Sequence, residues 1–516
     1  MKKIFAVILM ACFMAGAAPL NAFASSVVDD IAITKNSDKD NTTVIVYGSH
    51  EWYVIDYDQA GDKLFLFCTD KIFGQKYGLQ TSTNGHAYSG TAYSSGTTDY
   101  SGSTLQTKIG GIFNSDFTSL EQGQVLARDL DGTSDSQAPK DQRLWPLSKS
   151  EADSINTGLR VSLNPDHWWM RSASDGFVWF ADAGGAYYAK FTYPAAGSFG
   201  IRPAFYLDTA HISIVSDAVG GKPSSESGGL TAWDMPDSNK YKLTLTDGSR
   251  VFDAKLSSSG DVAKEGGSIK IDYSGAGTGA NEYVSAILAD QSGKNLYYGR
   301  IVNGSASGTE QEIKMPSGLA EGSYTLKVFS EQYNGDRNTD YASALIDLPI
   351  RVDNTAPVLK AEKQVSRTKD GATVQFTSSE AGAYYYVVQE AGMPTPSVDT
   401  SQKGTPCDTS RQTLTLTKLS SKALEIYLVV KDAAGNVSQP IKISIPQYTA
   451  VSEDATDEPA TVAPEPAARL EDPAEDATDK PATGDSSNME LVMALIFISL
   501  SAGLLAAAAW RMERTD

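Results

Sequence analysis

Leu424-Glu425-Ile426-Tyr427-Leu428-Val429-Val430-Lys431, followed by Asp432-Ala433-Ala434-Gly435-Asn436, is the stretch that decides the fold of this chain. Leu424, Ile426, Leu428 and Val430 alternate with Glu425, Tyr427 and Val429, the two-residue period of a strand with one buried face. Asp432 to Asn436 read as a turn between strands. Upstream, Leu414, Leu416 and Leu419 repeat the pattern more weakly, and so do Val374 and Phe376. An earlier block uses the same grammar in Tyr324-Thr325-Leu326-Lys327-Val328-Phe329 and in Ala344-Leu345-Ile346-Asp347-Leu348-Pro349-Ile350. Short strands, frequent turns and no helical period predict two all-β sandwiches, residues 239–353 and 354–447. Asp353-Asn354-Thr355-Ala356-Pro357 marks their junction, because Pro357 lacks a ladder donor and stiffens the connection.

The Asp-x-Thr-Ala-Pro opening and the phrase from Val429 to Ser438 resemble bacterial immunoglobulin-like modules of cell-surface proteins. That resemblance implies a stiff spacer. Asp432 and Asn436 invite a calcium reading, but a turn Asp and Asn ordinarily bond local backbone, and no metal site is expected.

Residues 41–212 have a different texture, dense in aromatics and glycines. Val44 to Tyr47, Trp52 to Ile55 and Leu64 to Cys68 read as strands, and a helix is expected over 119–129. Ser148 is placed to cap a short helix, with Glu151 three residues on as its capping-box partner. Then come His167-Trp168-Trp169-Met170-Arg171-Ser172, a hairpin-like stretch from Phe177 to Tyr188, and Gly200-Ile201-Arg202-Pro203-Ala204-Phe205-Tyr206-Leu207.

That succession resembles the domain of unknown function 6273, found in secreted and surface proteins of Firmicutes. The matching phrases are Glu51 to Ile55, Leu147-Ser148 with Glu151, Trp168 to Ser172, and Gly200 to Leu207. The last is also similar to the closing strand of the sulfatase-modifying-factor and C-type-lectin-like group. The resemblance implies an α+β head. Ser101 to Leu105 stand where the family carries a helix, and they depart from its pattern.

In this head Trp168, Trp169, Arg171, Trp179, Tyr187 and Arg202 form the candidate ligand-binding set. Aromatic faces stack on apolar sugar faces, and an arginine supplies a forked donor. The competing reading is core. Successive strand residues point to opposite faces, so Trp168 and Trp169 cannot share one surface on a regular strand. No catalytic residue is assigned: the chain has no His-Glu-x-x-His and no Gly-x-Ser-x-Gly. A pocket joining His50-Glu51 to His167 is what an acid–base enzyme would need.

The two ends speak of export. Lys2 and Lys3, an apolar run from Ile4 to Ala18, and Ala22-Phe23-Ala24 make a signal peptide over 1–24, cut after Ala24. Residues 491–510 are uncharged and apolar, just long enough to span a hydrocarbon layer of roughly 30 Å. Arg511 and Arg514 follow on the cytoplasmic side. Pro481-Ala482-Thr483-Gly484 ahead of that span resembles the sorting motif of Gram-positive surface proteins, with Lys480 where leucine is usual. The resemblance implies a sortase, whose thiolate attacks the Thr483 carbonyl, and peptidoglycan as acceptor. The alternative is a plain transmembrane helix; either tethers the ectodomain outside the cell.

The chain has 516 residues and a net charge of −20. That acidity argues against nucleic acid as a partner. Residues 448–480, rich in Ala, Pro, Glu, Asp and Thr, read as a disordered stalk. Cys12, Cys68 and Cys407 give no disulfide framework. The expectation is therefore multidomain: an α+β lectin-like or sulfatase-modifying-factor-like head, a linker over 213–238, two immunoglobulin-like sandwiches, a stalk and a sorting signal over 481–516 with one transmembrane helix. The expected role is non-catalytic binding of an extracellular glycan or protein, without cofactor. A degenerate or novel hydrolase and a purely structural surface protein are the competing readings.

Overall fold

Strands are the dominant regular element of the described chain, arranged in sheets that pack face to face, with few helices. The computed structural model describes residues 32–450 apart from 73–79, 82–88, 95–97, 132–138, 162–166, 190–198, 224–227, 234–237, 259 and 363–364. The signal peptide, the sorting motif, the apolar span and the stalk beyond residue 450 lie outside the described residues. Among those described, no helix is long and apolar enough to cross a membrane.

The N-terminal unit is built on Val44–Tyr47, His50–Asp58, Lys63–Cys68 and Pro203–Asp208, paired in that order. Gly48 and Ser49 both take positive φ (56° and 63°), closing a two-residue hairpin in which Tyr47 faces His50. A β-carbon on Gly48 would lie 2.7 Å from the Phe117 ring, so this turn needs glycine for space as well as for φ.

Helices differ from expectation. Ser119–Gln124 is helical, but Val125–Leu126 leaves the helix to pair with Tyr206 and Leu207. The helix expected over 119–129 therefore stops early, its last turns given up to a sheet edge. A longer helix forms at Thr104–Asp116, where Ser103 accepts from the Gln106 amide at 3.0 Å and Leu105, Ile109 and Ile112 turn one face inward. The short helix Lys149–Asp153 carries the expected capping box of Ser148 and Glu151.

The stretch 213–238, expected as a linker, begins inside the strand Ile212–Asp217, which pairs antiparallel with Lys240–Thr246. Along its other edge, Lys240–Thr246 lies parallel to Val44–Tyr47 through residues 240–242 and parallel to Asp340–Ala342 through residues 244–246. One continuous sheet thus runs from the N-terminal unit into the first sandwich. Tyr241, Leu243 and Leu245 point into the N-terminal core, whereas Lys242 and Thr244 are buried on the opposite face.

The second sandwich packs Gly371–Ser378 and Gln412–Thr417 against Gly382–Glu390, Leu424–Lys431 and Ile441–Ile445. Leu424, Ile426, Leu428 and Val430 supply its core, as their alternation predicts. The Asp432–Asn436 turn reaches the junction: Asn436 Nδ2 donates to the Asp353 carbonyl at 2.8 Å.

Candidate functional site

The hairpin Trp168–Ser174 and Phe177–Ala181 extends through Tyr187–Ala189 into a three-stranded sheet. Trp168, Trp169 and Met170 have no exposed surface, because both faces of their strand are covered. Trp168 packs on Phe67, their ring centroids 5.7 Å apart. Trp169 packs on Tyr93 and Phe199, and its indole Nε1 donates to the Thr91 carbonyl at 2.6 Å.

Arg202 is likewise buried. Its guanidinium donates to the carbonyls of Cys68 (2.9 Å), Thr69 (3.0 Å), Leu159 (2.9 Å) and Arg160 (2.7 Å). It also lies 4.3 Å from the centre of the Phe67 ring. Burial lowers its pKa to about 10, so it remains a cation at neutral pH. Four backbone acceptors and a ring face replace the carboxylate that usually meets a buried arginine.

Arg171 is buried against Glu151. Glu151 accepts from Arg171, from Arg128 Nη1 at 2.6 Å and from the Ser148 amide at 2.8 Å. Burial raises the Glu151 pKa, but the bond and charge of Arg171 outweigh it and hold the carboxyl below its ordinary value. The helix Lys149–Asp153 is thereby pinned to the strand bearing Arg171, and the Lys149 amide adds a bond to Ser172 Oγ at 2.9 Å.

Trp168, Trp169 and Arg202 thus present nothing to a ligand, and their nomination as ligand contacts is corrected. They read as a platform because aromatic and cationic residues stand together, yet packing on both strand faces makes them core. Arg171 differs: its Nη1 is held by Glu151 and the Pro146 carbonyl, yet the residue itself lines the groove beside the hairpin.

The other two nominated residues are on that groove's side of the unit. A cleft of about 430 Å³ opens between the helix Lys149–Asp153 and the hairpin, with Trp179, Lys149 and Asp153 on its walls and hydroxyls from Ser148, Ser172 and Ser174. Trp179 is half-buried, and its Nε1 donates to Ser174 Oγ at 3.3 Å. Lys149 Nζ lies 5.7 Å from the Trp179 ring centre and 5.8 Å from that of Tyr187, and 2.7 Å from Asp153 Oδ2. Tyr187 also carries the Arg160 guanidinium on its face at 4.8 Å. Two aromatic rings therefore bracket an exposed cation that already has an acidic partner. Such a surface holds neutral, hydroxyl-bearing or peptide groups by stacking and hydrogen bonding. Lys149 and Asp153 were not nominated from the sequence, although their i, i+4 spacing behind the Ser148 cap places them on one helix face.

The histidines lie elsewhere. His50 Nε2 is 2.8 Å from Asp116 Oδ2, and the His167 ring sits against Phe180 and Phe199. The Glu51 carboxylate is shared by Lys240 (2.8 Å) and Arg337 (2.5 Å). None of the three lines the cleft. Burial pushes the Cys68 thiol up to about 12, and its Sγ donates to the Asp70 carbonyl at 2.9 Å.

At the junction, Asp353, Glu380 and Asp432 bring ligand atoms within 4.8 Å of one another. Arg351 Nη2 lies 2.8 Å from Asp353, and Asn436 Nδ2 donates to Asp432 Oδ2 at 2.9 Å. Asp432 and Asn436 thus close their own turn and reach the Asp353 backbone.

No protein-family model and no curated protein matches this chain. Among solved structures, it is similar to the fibronectin(III)-like modules of Clostridium thermocellum CbhA, at 14% identity over 37% of this chain and 92% of that one, TM-score 0.22. The FN1–FN3 domains of chicken CNTN1 match at 13% identity over 40% of this chain and 69% of theirs, TM-score 0.28. Domains A168–A170 of titin match at 12% over 55% and 87%, TM-score 0.20.

Proposed function

We propose that this chain is a surface display protein, exported and held at the cell envelope, that binds an extracellular glycan or peptide through the Trp179 cleft without transforming it. The single observation that carries the binding reading is the half-buried Trp179 ring beside Tyr187, with Lys149 held between them. The cleft is rich in hydroxyls, and its lining charges balance, Lys149 and Arg171 against Asp131 and Asp153. That composition suits a polyhydroxylated ligand stacked on an aromatic face better than a strongly charged one. Export and anchoring rest on the sequence of the two ends, with a sortase and peptidoglycan as partners for Pro481 to Gly484. The α+β head and its lectin-like relationship belong to the same proposal.

The test is a glycan and peptide array probed with the whole chain and with Trp179→Ala. Binding lost at least tenfold in the variant, with unfolding temperature little changed, is the expected result. Equal binding by both proteins overturns the cleft as the site. A second reading, a purely architectural role, draws on Trp52, Trp145, Trp168 and Trp169, all of them fully internal. It gains if the array stays blank.

A further inference from the structure

Four charged side chains, Lys222, Lys242, Glu331 and Asp340, meet where the shared sheet enters the first sandwich, and none has exposed surface. Lys222 Nζ is 2.8 Å from Glu331 Oε2 and 3.1 Å from Asp340 Oδ2, so one amine touches two separate carboxylates. Asp340 Oδ1 accepts from Lys242 Nζ at 2.9 Å and from the Asn334 amide at 2.7 Å. Asp340 Oδ2 accepts no well-aligned hydrogen bond, although both ammonium groups lie near it. Glu331 Oε1 is occupied by the Tyr298 hydroxyl and by Ser285 Oγ at 3.0 Å, which leaves Oε2 facing Lys222. The Tyr333 ring lies beside the cluster, with Lys242 Nζ 4.4 Å from its centre.

A fully buried network of two cations and two anions is costly, because desolvation offsets much of its attraction. Fixed geometry also makes a reaction between two of its members effectively unimolecular. The division of contacts assigns roles: one amine against two acids, one carbonyl oxygen held by two donors, one oxygen left over.

We propose that the Lys222 amine and the Asp340 carboxyl condense to an intramolecular amide, with Glu331 as base and Lys242 as the cation that polarises the Asp340 carbonyl. Glu331 Oε2 takes a proton from the Lys222 ammonium, freeing the nitrogen lone pair. That pair forms the bond to Asp340 Cγ, while charge gathering on Oδ1 is stabilised by Lys242 and the Asn334 amide. The Cγ–Oδ2 bond then breaks. Oδ2 leaves as water with the two protons the nitrogen sheds, one of them first held by Glu331. An ammonium and a carboxylate become an amide and one water, with no oxidant or co-reactant. The charges of Lys242 and Glu331 remain and balance each other. The product bolts the segment preceding Lys240–Thr246 to the strand Asp340–Ala342, across the seam between the N-terminal unit and the first sandwich.

Peptide mapping by mass spectrometry tests this on the whole folded chain, denatured and digested with trypsin. The wild type is expected to give a branched peptide joining the Lys222 and Asp340 segments, lighter than their sum by one water. Glu331→Gln and Lys222→Arg are expected to give linear peptides instead. Linear peptides from wild-type protein that unfolds cooperatively overturn the proposal, and this result needs no variant to fold. A branch at Lys242, or one formed equally in Glu331→Gln, overturns the assigned roles.

Discussion

Val44 pairs in parallel with Lys240, so the first strand of the N-terminal unit is not an edge but is covered by the strand that enters the first sandwich. Thr118 Oγ1 and the Tyr341 hydroxyl, 2.7 Å apart, and Thr339 Oγ1 donating to Glu121 Oε1 at 2.6 Å tie the same two parts together.

A chain ending at residue 217 is therefore expected to fold poorly. It loses Tyr241, Leu243 and Leu245 from the N-terminal core and bares the ladder of Val44–Tyr47. Each lost core side chain is worth about 1.5–3 kcal/mol, a large share of ordinary domain stability. Thermal unfolding followed by circular dichroism, against a chain ending at residue 450, reads the effect. Equal midpoints would show that the shared strand is dispensable.

Arg202 holds carbonyls from two segments that nothing else in the sequence marks as neighbours, Cys68-Thr69 and Leu159-Arg160. Lysine in its place keeps the charge but loses the fork that reaches all four. Arg202→Lys is expected to cost on the order of 3 kcal/mol, since buried acceptors are left unpaired. Arg202→Met should cost at least as much. Denaturant unfolding gives the number, and a loss below about 1 kcal/mol would contradict the structural role assigned here.

The Arg171–Glu151–Arg128 clamp makes a prediction with a definite sign. The Glu151 carboxyl is held below its ordinary pKa in the folded state. A depressed carboxyl lends stability that is present above the unfolded value and is lost as pH falls through the folded one. Unfolding midpoints of the wild type should therefore decline in acid more steeply than those of Glu151→Gln, which is already weaker at neutral pH. Parallel pH profiles for the two proteins would mean that the clamp does not carry charge-dependent stability.

The sandwich strands were legible because a half-buried strand writes its burial into a two-residue period, as Leu424 to Val430 do. The helix Thr104–Asp116 was not, although Ser103, Leu105, Ile109 and Ile112 carry its cap and stripe; Gly110 and Gly111 dilute the helical signal. Trp168 and Trp169 mislead for another reason. Period says which residues share a face, but whether a second layer covers that face is decided by segments far away in sequence, here Phe67, Tyr93 and Phe199. Lys242 shows the same limit, since a lone lysine among Tyr241, Leu243 and Leu245 reads as solvent-facing until Glu331 and Asp340 close over it. The Trp179 cleft joins a capped helix to a hairpin: both elements and the two aromatics were readable, but not that Lys149 and Asp153 would stand opposite them.

At the junction between the sandwiches, Glu380 sits near Asp353 and Asp432, and its pKa is raised by burial and then by those two carboxylates. A raised carboxyl binds its proton more tightly folded than unfolded, so stability grows as pH falls through the raised value toward the ordinary one. Glu380→Gln removes the repulsion without changing shape. It is expected to raise the unfolding midpoint of the protein at neutral pH, with the advantage shrinking in mild acid as the wild-type carboxyl takes up its proton. The Asn436 bond to the Asp353 carbonyl should persist in the variant, because it involves only the Asn436 amide and backbone. Calorimetry of both proteins across that pH range decides the matter: a Glu380→Gln midpoint below the wild type at neutral pH would mean that Glu380 is held there by a favourable contact, and that the crowding of like charges at this seam is not what sets its stability.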